Sequence, residues 1–424
     1  MEWVLPLIIL CYVLICSGAF IIELLNLRHI KKHGSEIPAE FAGVIELADL
    51  EKSQAYTFAN SRFRTIHTIY NEVITLIFIF GGVLIWYNKT LFDYHNQCHW
   101  PFAVWGVIFV MVLSFSKTIL NIPFNLYQTF SIERRFGFNN MGFRLWLWDL
   151  IKGLLVSAVF FSIMLFGAFG LVKSIPSWWW FPVWAFFFFF TLFVIYISPY
   201  ILDPLFNKFT PIKDEDLAKD IITLLKKAGI EVSGVYTMDA SKRSKHSNAY
   251  FTGLGKVKRI VVFDTLLESM SKEELLAVIA HEAGHCRKKH VLKNLILFEA
   301  LSAIGFYIAF MLLQSDILVR VFNLETGILQ TDSFFAKLIV LSFIGGIILW
   351  AMPLFFNAIS RHFERQADDF ALKLTGSGKP LADALVKLSV DNLANLYPQK
   401  LYAYFNYSHP PVLERIKRLR AEEK

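Results

Sequence analysis

His281-Glu282-Ala283-Gly284-His285 is where this sequence has the means to do chemistry. On an α-helix, residues four apart share a face about one turn apart, so both imidazoles can approach one metal ion. Glu282 between them then points at the water such an ion activates, which is the working centre of a zinc peptidase. A surface helix that happens to carry two histidines has the same five letters, so the flanks decide. Ser271 followed by Glu274 fits a capping box and sets a helix start with Ser271 as N-cap. Arg287, Lys288 and Lys289 stand where a helix C-terminus favours positive charge, with Leu275, Ala277, Val278 and Ala280 forming an apolar run between. The spacing predicts a helix of roughly 18 residues with the motif in its second half.

A catalytic zinc takes three protein ligands and a water, so a further ligand must come from another element. In Ser360–Asp369, Glu364 and Asp368 are four apart and share a helical face. Glu364 can ligate the metal while Asp368 hydrogen-bonds the outer nitrogen of a ligating histidine, fixing its tautomer. The plain alternative is a solvated helix of mixed charge.

The elements that must position these groups are set by a bilayer. The chain has 424 residues, 55% hydrophobic, 16% aromatic and only 18% charged, against about 25% charged in a soluble domain. Apolar runs near Val4–Ile22, Ile66–Trp86, Ala103–Leu120, Leu147–Val172, Trp180–Ile201, Leu292–Leu313 and Leu338–Phe356 each approach the ~20 residues a bilayer core needs. The first is too long, and its start too acidic, for a cleavable signal peptide. Arg28–Arg64 holds six basic residues and Asn88–Trp100 only Lys89; Arg134, Arg135 and Arg144 mark the next loop. Basic loops stay cytoplasmic, which predicts an outside N-terminus, about seven crossings and a cytoplasmic C-terminus. His281 and Glu364 then fall on the same side, near the ends of adjacent spans. Trp178, Trp179 and Trp180 suit an outer aromatic belt. The net charge of +7 is read as topology and contact with anionic lipid, with no nucleic-acid partner. Glu72, Lys117, Asp149 and Glu299 lie in or beside apolar runs, where an unpaired charge costs ~3 kcal/mol, and Glu299 is expected to face an interior chamber. Cys11, Cys16, Cys98 and Cys286 show no disulfide or metal spacing.

Four segments follow: 1–202 with five spans, 203–290 as the metalloprotease core, 291–356 with two more spans, and 357–424 as a helical part completing the metal site. Within the core, Asp214–Gly229 reads as an amphipathic helix and Val232–Asp239 and Arg259–Asp264 as strands. Asn248–Gly255, with its Gly-x-Gly turn, reads as an edge strand or hairpin.

Together with the HExxH helix and Ser360–Asp368, the stretches Asn248–Gly253, Ser408–Pro411, Ile132–Asn139 and Asp203–Asn207 resemble the type I CAAX prenyl endopeptidases over essentially the whole chain. The resemblance implies an α-helical polytopic membrane protein. About seven transmembrane helices would surround an intramembrane chamber, with a small α+β zincin-like domain on the cytoplasmic side. It implies one Zn²⁺ per chain on His281, His285 and Glu364, with Glu282 as general base. Asp368 matches the carboxylate behind a ligating histidine, to which the family also assigns proton donation. His409 matches a histidine near the reacting carbonyl, Asn248 a residue that holds substrate backbone, and Arg415 an ion-pairing anchor of the C-terminal tail. The partners implied are a polypeptide substrate, prenylated in the leading reading, and the lipid bilayer. Two alternatives are the same chemistry in quality control of non-prenylated membrane proteins, and a non-catalytic scaffold or channel with a structural metal. A chain compact for the family's eukaryotic members points to a bacterial inner membrane ahead of the endoplasmic reticulum.

Overall fold

A computed structural model of the chain describes residues 3–253, 258–324 and 333–422. In chain order, α1 (Val4–His33), α2 (Leu47–Phe80), α3 (Val83–Cys98), α4 (Phe102–Tyr127), α5 (Phe143–Ser174) and α6 (Trp180–Ile197) form the N-terminal membrane region. A mixed region follows, with β1 (Phe209–Pro211), α7 (Glu215–Lys227), β2 (Val235–Met238), β3 (Ala249–Thr252), β4 (Arg259–Phe263) and α8 (Lys272–Arg287). The chain then re-enters the membrane in α9 (His290–Gln314) and α10 (Phe334–Leu349). It ends in α11 (Met352–Thr375), α12 (Lys379–Asp391), α13 (Lys400–Asn406) and α14 (Val412–Ala421).

Five helices (α1, α4, α5, α6 and α9) are long and apolar enough to cross a bilayer alone, and two bent pairs raise the count to seven. The pairs are α2 with α3, bent by 60°, and α10 with α11, bent by 50°. Both bends fall inside runs that read as single spans in the sequence. At the first, Gly82 adopts φ +80, which a residue with a Cβ resists. At the second, Pro353 sits in the first turn of α11, where its missing N–H ends one helix and starts another. Asn88–Trp100, an apparent loop, is therefore mostly helix. Leu84 and Tyr87 of α3 pack with Trp105, Phe109, Phe169, Trp179 and Phe335 into one buried cluster that closes this end of the molecule. Of the tryptophan triplet, Trp178 is exposed, but Trp179 belongs to this packing and not to a lipid-facing belt.

A second core lies at the opposite end, where Phe41 and Leu50 join Ile221, Leu225, Ile260, Val262, Ile279, Leu385 and Ile416. Between the cores the spans bury little: the most apolar window of α1 buries none of its residues and that of α9 buries 6%. A solid bundle would bury a stripe along each helix; spans whose most apolar windows bury 0–17% of their residues accord with the open chamber that the resemblance implies. Glu299 does not face that space. It is only 4% exposed, and its carboxylate accepts from Ser302 one turn on, while Trp184 of α6 donates to its carbonyl at 3.2 Å. Asp149 is paired with Arg243 and Lys152, and Glu72 accepts from the Tyr12 hydroxyl.

The sheet has the order β1-β2-β4-β3, with β2 and β4 parallel and the other pairs antiparallel. Ile260, Val261 and Val262 of β4 are fully buried, which suits this run of branched residues to an inner strand. β3 is an edge strand, as its sequence predicts, paired with β4 from Ala249↔Val262 to Thr252↔Arg259. The end of the anticipated hairpin, at 254–257, lies outside the described residues. The capping box of α8 is formed: Ser271 Oγ accepts from Glu274 N at 3.3 Å, and Ser271 N donates to Glu274 Oε2 at 2.7 Å. The helix ends after 16 residues, because Lys289 turns left-handed at φ +56 and separates it from α9.

Candidate active site

Two helices that nearly touch build the site. A Cβ on Gly284 of α8 would lie 2.9 Å from Ala367 Cα and 3.1 Å from Ala367 O on α11, closer than real Cβ atoms approach backbone. Glycine at 284 and the fully buried Ala367 thus set the helix separation. That separation lays Glu364, one turn before Ala367, against both motif histidines. His281 Nε2 lies 3.4 Å from Glu364 Oε2, His285 Nε2 lies 3.2 Å from Glu364 Oε1, and the two Nε2 atoms are 3.2 Å apart. One ligand atom from each of the three falls within 4.8 Å of the others.

The group fits a metal. Glu364 Oε2 is buried and, among the described residues, meets no donor in hydrogen-bond geometry; His281 Nε2 and Arg415 Nη1 each lie 3.4 Å away, near enough to balance its charge but leaving a lone pair for a cation. Two imidazoles and a carboxylate are a donor set suited to zinc, and three protein ligands leave a fourth position open. The electrostatics agree. Burial alone would disfavour an imidazolium, yet the carboxylates of Asp368 and Glu364 lift His281 to about 9. The pocket favours positive charge where a cation would sit.

The remaining predicted residues arrange around this centre. Glu282 is half-buried on the same helix, and burial pushes its carboxyl up from the ordinary range. Asp368 Oδ1 lies 2.9 Å from His281 Nδ1, the outer nitrogen. Arg415 donates to both oxygens of Asp368 at 2.7 and 3.0 Å and lies 3.4 Å from Glu364, so it ties the C-terminal tail to the site. His409 reaches the rim, with Nε2 3.3 Å from Glu364 Oε1 and its side chain more than half exposed. Asn248 stands apart, at the head of β3, which packs against α8. Its side-chain oxygen accepts from Ala249 N at 2.8 Å, and its carbonyl accepts from Phe263 N at 3.0 Å.

Sequence reasoning missed His290. Its Nδ1 is 3.1 Å from His285 Nδ1 and its Nε2 is 3.0 Å from Gln366 Oε1, while its ring stacks on Phe363 at 4.1 Å and 4°. His290 therefore stands behind His285 much as Asp368 stands behind His281. The signal lay five residues past the motif, but only the left-handed turn at Lys289 brings His290 back toward it.

Residues 26–208 match the family described as CAAX prenyl protease N-terminal, five membrane helices, and residues 211–423 match Peptidase family M48. The chain is 33% identical to the CAAX prenyl protease 1 homolog of Arabidopsis thaliana, over 92% of this chain and 91% of that protein. It is 32% identical to CAAX prenyl protease 1 of Saccharomyces cerevisiae, over 90% of this chain and 88% of that one. It superposes on the crystal structure of S. mikatae Ste24p with a TM-score of 0.89 at 29% identity, covering 99% of each chain. With this fold and this centre, the chain belongs to the CAAX prenyl protease 1 family of M48 metallopeptidases, integral multi-pass membrane enzymes that cleave polypeptides.

Proposed function

We propose that this protein is a zinc endopeptidase that trims C-terminal residues from prenylated, CAAX-type proteins at the cytoplasmic face of its membrane. The observation that carries the reading is the open three-ligand centre of His281, His285 and Glu364 with a partly buried Glu282 beside it. A structural zinc site is closed by four protein ligands and has no use for a base, so an open site with Glu282 speaks against a scaffold.

When bound, zinc supplies Lewis acidity that brings the pKa of a water to about 7 and polarises the scissile carbonyl. Glu282 accepts the proton of the attacking water and passes it to the leaving amine; its burial-raised carboxyl is suited to moving a proton both ways. His409, at the exposed rim, is placed to donate to the oxyanion that develops on the carbonyl. Asp368 is held by two hydrogen bonds from Arg415 and backs onto His281, so its role is to orient, not to shuttle protons. An extended peptide added to the free edge of β3 near Asn248 would be held by backbone hydrogen bonds.

The orientation rests on loop charge and holds for a bacterial inner membrane or the endoplasmic reticulum alike. Chain length does not separate the two, because S. mikatae Ste24p is matched over 99% of its length. The test is release of the C-terminal fragment from matched prenylated and unprenylated peptides by the purified chain in proteoliposomes, with Glu282→Gln as control. Faster cleavage of the prenylated peptide is expected. Equal cleavage moves the reading to non-prenylated substrates, and no cleavage by zinc-loaded wild type ends it.

A further inference from the structure

The strand expected to receive substrate is anchored from outside its own sheet. Among the described residues β3 pairs with β4 on one side only, and the residues leading into it, 243–246, are held by the loop that joins α4 to α5. That loop opens with a π-helical turn, Gln128–Glu133, a wide turn that often marks a functional position. Lys245 N donates to Phe138 O at 3.1 Å, Asn140 N donates to Arg243 O at 3.1 Å, and Asn139 and Ser244 form an antiparallel bridge. Arg243 donates to both oxygens of Asp149 at 2.9 and 3.2 Å. The His246 ring stacks on Phe138 at 4.2 Å and 15°, its Nδ1 is 2.5 Å from Asn392 Oδ1, and its Nε2 is 3.6 Å from Glu133 Oε2. Glu133 Oε1 in turn accepts from Tyr56 at 2.8 Å and from Gln128 at 2.9 Å.

We propose that Glu133 and His246 are positioning residues for peptide cleavage, a clamp by which the membrane region sets where the substrate-binding strand lies. The inference rests on the proposed role of β3 in holding substrate. His246 is two residues from Asn248, so a displacement at the clamp is passed directly to the head of the strand. With 42% of its side chain exposed, His246 pairs with Glu133 in a contact that adds little to stability. What the convergent contacts fix is location. A strand that is out of place pairs less well with an extended peptide, so its location sets how tightly substrate is held. Because the anchor belongs to the membrane loop, a peptide aligned on β3 is aligned to the bundle as well as to the metal centre.

The test uses the full chain in proteoliposomes and a prenylated CAAX-type peptide, with Glu133→Gln and His246→Gln. KM is expected to rise about tenfold with kcat within about twofold and metal content unchanged. A second variant adds Asn139→Cys and Ser244→Cys to Glu133→Gln; antiparallel bridge partners have Cα atoms about 4.5–5.5 Å apart, within the disulfide range. Oxidation should restore KM and reduction should raise it again. Unchanged KM in both single variants, or a disulfide that forms without restoring KM, overturns the clamp. If Glu133→Gln does not fold, Tyr56→Phe carries the same prediction in weaker form. An Asn248→Ala arm separates the two readings: raised KM there with normal Glu133→Gln rejects the clamp alone, and unchanged KM there removes β3 from substrate binding and the clamp with it.

Discussion

At the scale of residues, the two histidines proposed as metal ligands are each backed by a second group. His281 backs onto Asp368 and His285 onto His290, and both outer groups are themselves engaged, by Arg415 and by Gln366. Replacing Asp368 by Asn removes the charge that favours His281 as a ligand and leaves the buried Arg415 with Glu364 as its carboxylate partner. Zinc affinity is expected to fall ~10–100-fold in chelator competition. His290→Ala should move affinity the same way by about tenfold, since it loosens one ring without removing a charge. Glu282→Gln should behave differently. Zinc stays bound while kcat falls by about 10²–10⁴, read from turnover and metal content on one sample. Equal loss of metal and turnover in Glu282→Gln would make Glu282 a ligand, not a base.

At the scale of elements, two close approaches govern the geometry. The first is α8 against α11 at Gly284, where an added methyl would meet backbone that cannot swing aside. Gly284→Ala should cost about 1–3 kcal/mol in denaturant unfolding and weaken zinc binding, because separating the helices draws Glu364 away from the histidines. The second is the contact of the α4–α5 loop with the head of β3. The contact with the Glu133 carboxylate raises His246 above its ordinary value, burial opposes the rise, and Asn392 adds to it. A group raised on folding contributes stability that is fully present below its unfolded pKa, about 6.5, and lost as pH climbs through the folded value. Hydrogen exchange of the amides at 243–246 should therefore show weaker protection, after correction for intrinsic rates, as pH rises past the ordinary histidine value.

At the scale of the whole molecule, two cores at opposite ends hold apart spans that bury little between them. The exposed Cys98 lies at the end of α3 by the distal core, while Cys286 follows His285 on the metal helix. If the basic loops face the cytoplasm, a membrane-impermeant maleimide confined to the non-cytoplasmic side of sealed membrane vesicles should label Cys98 and spare Cys286. The reverse pattern would invert the topology.

The sequence by itself determined what is local. The HExxH spacing, the Ser271 capping box, the branched run of β4 and the apolar lengths of the spans depend on neighbours a few residues apart, and each is found in the structure. The bends at Gly82 and Pro353 were present as letters, but apolar runs continue through them, so hydropathy alone joined what backbone geometry separates. Only the tertiary structure decided how closely α8 meets α11, that His290 turns back onto His285, and that Glu299 packs against Trp184 instead of facing open space. The physical reason is common to all three. Side-chain chemistry and period set which face an element presents, whereas the distance between elements is set by close packing of residues far apart in the chain.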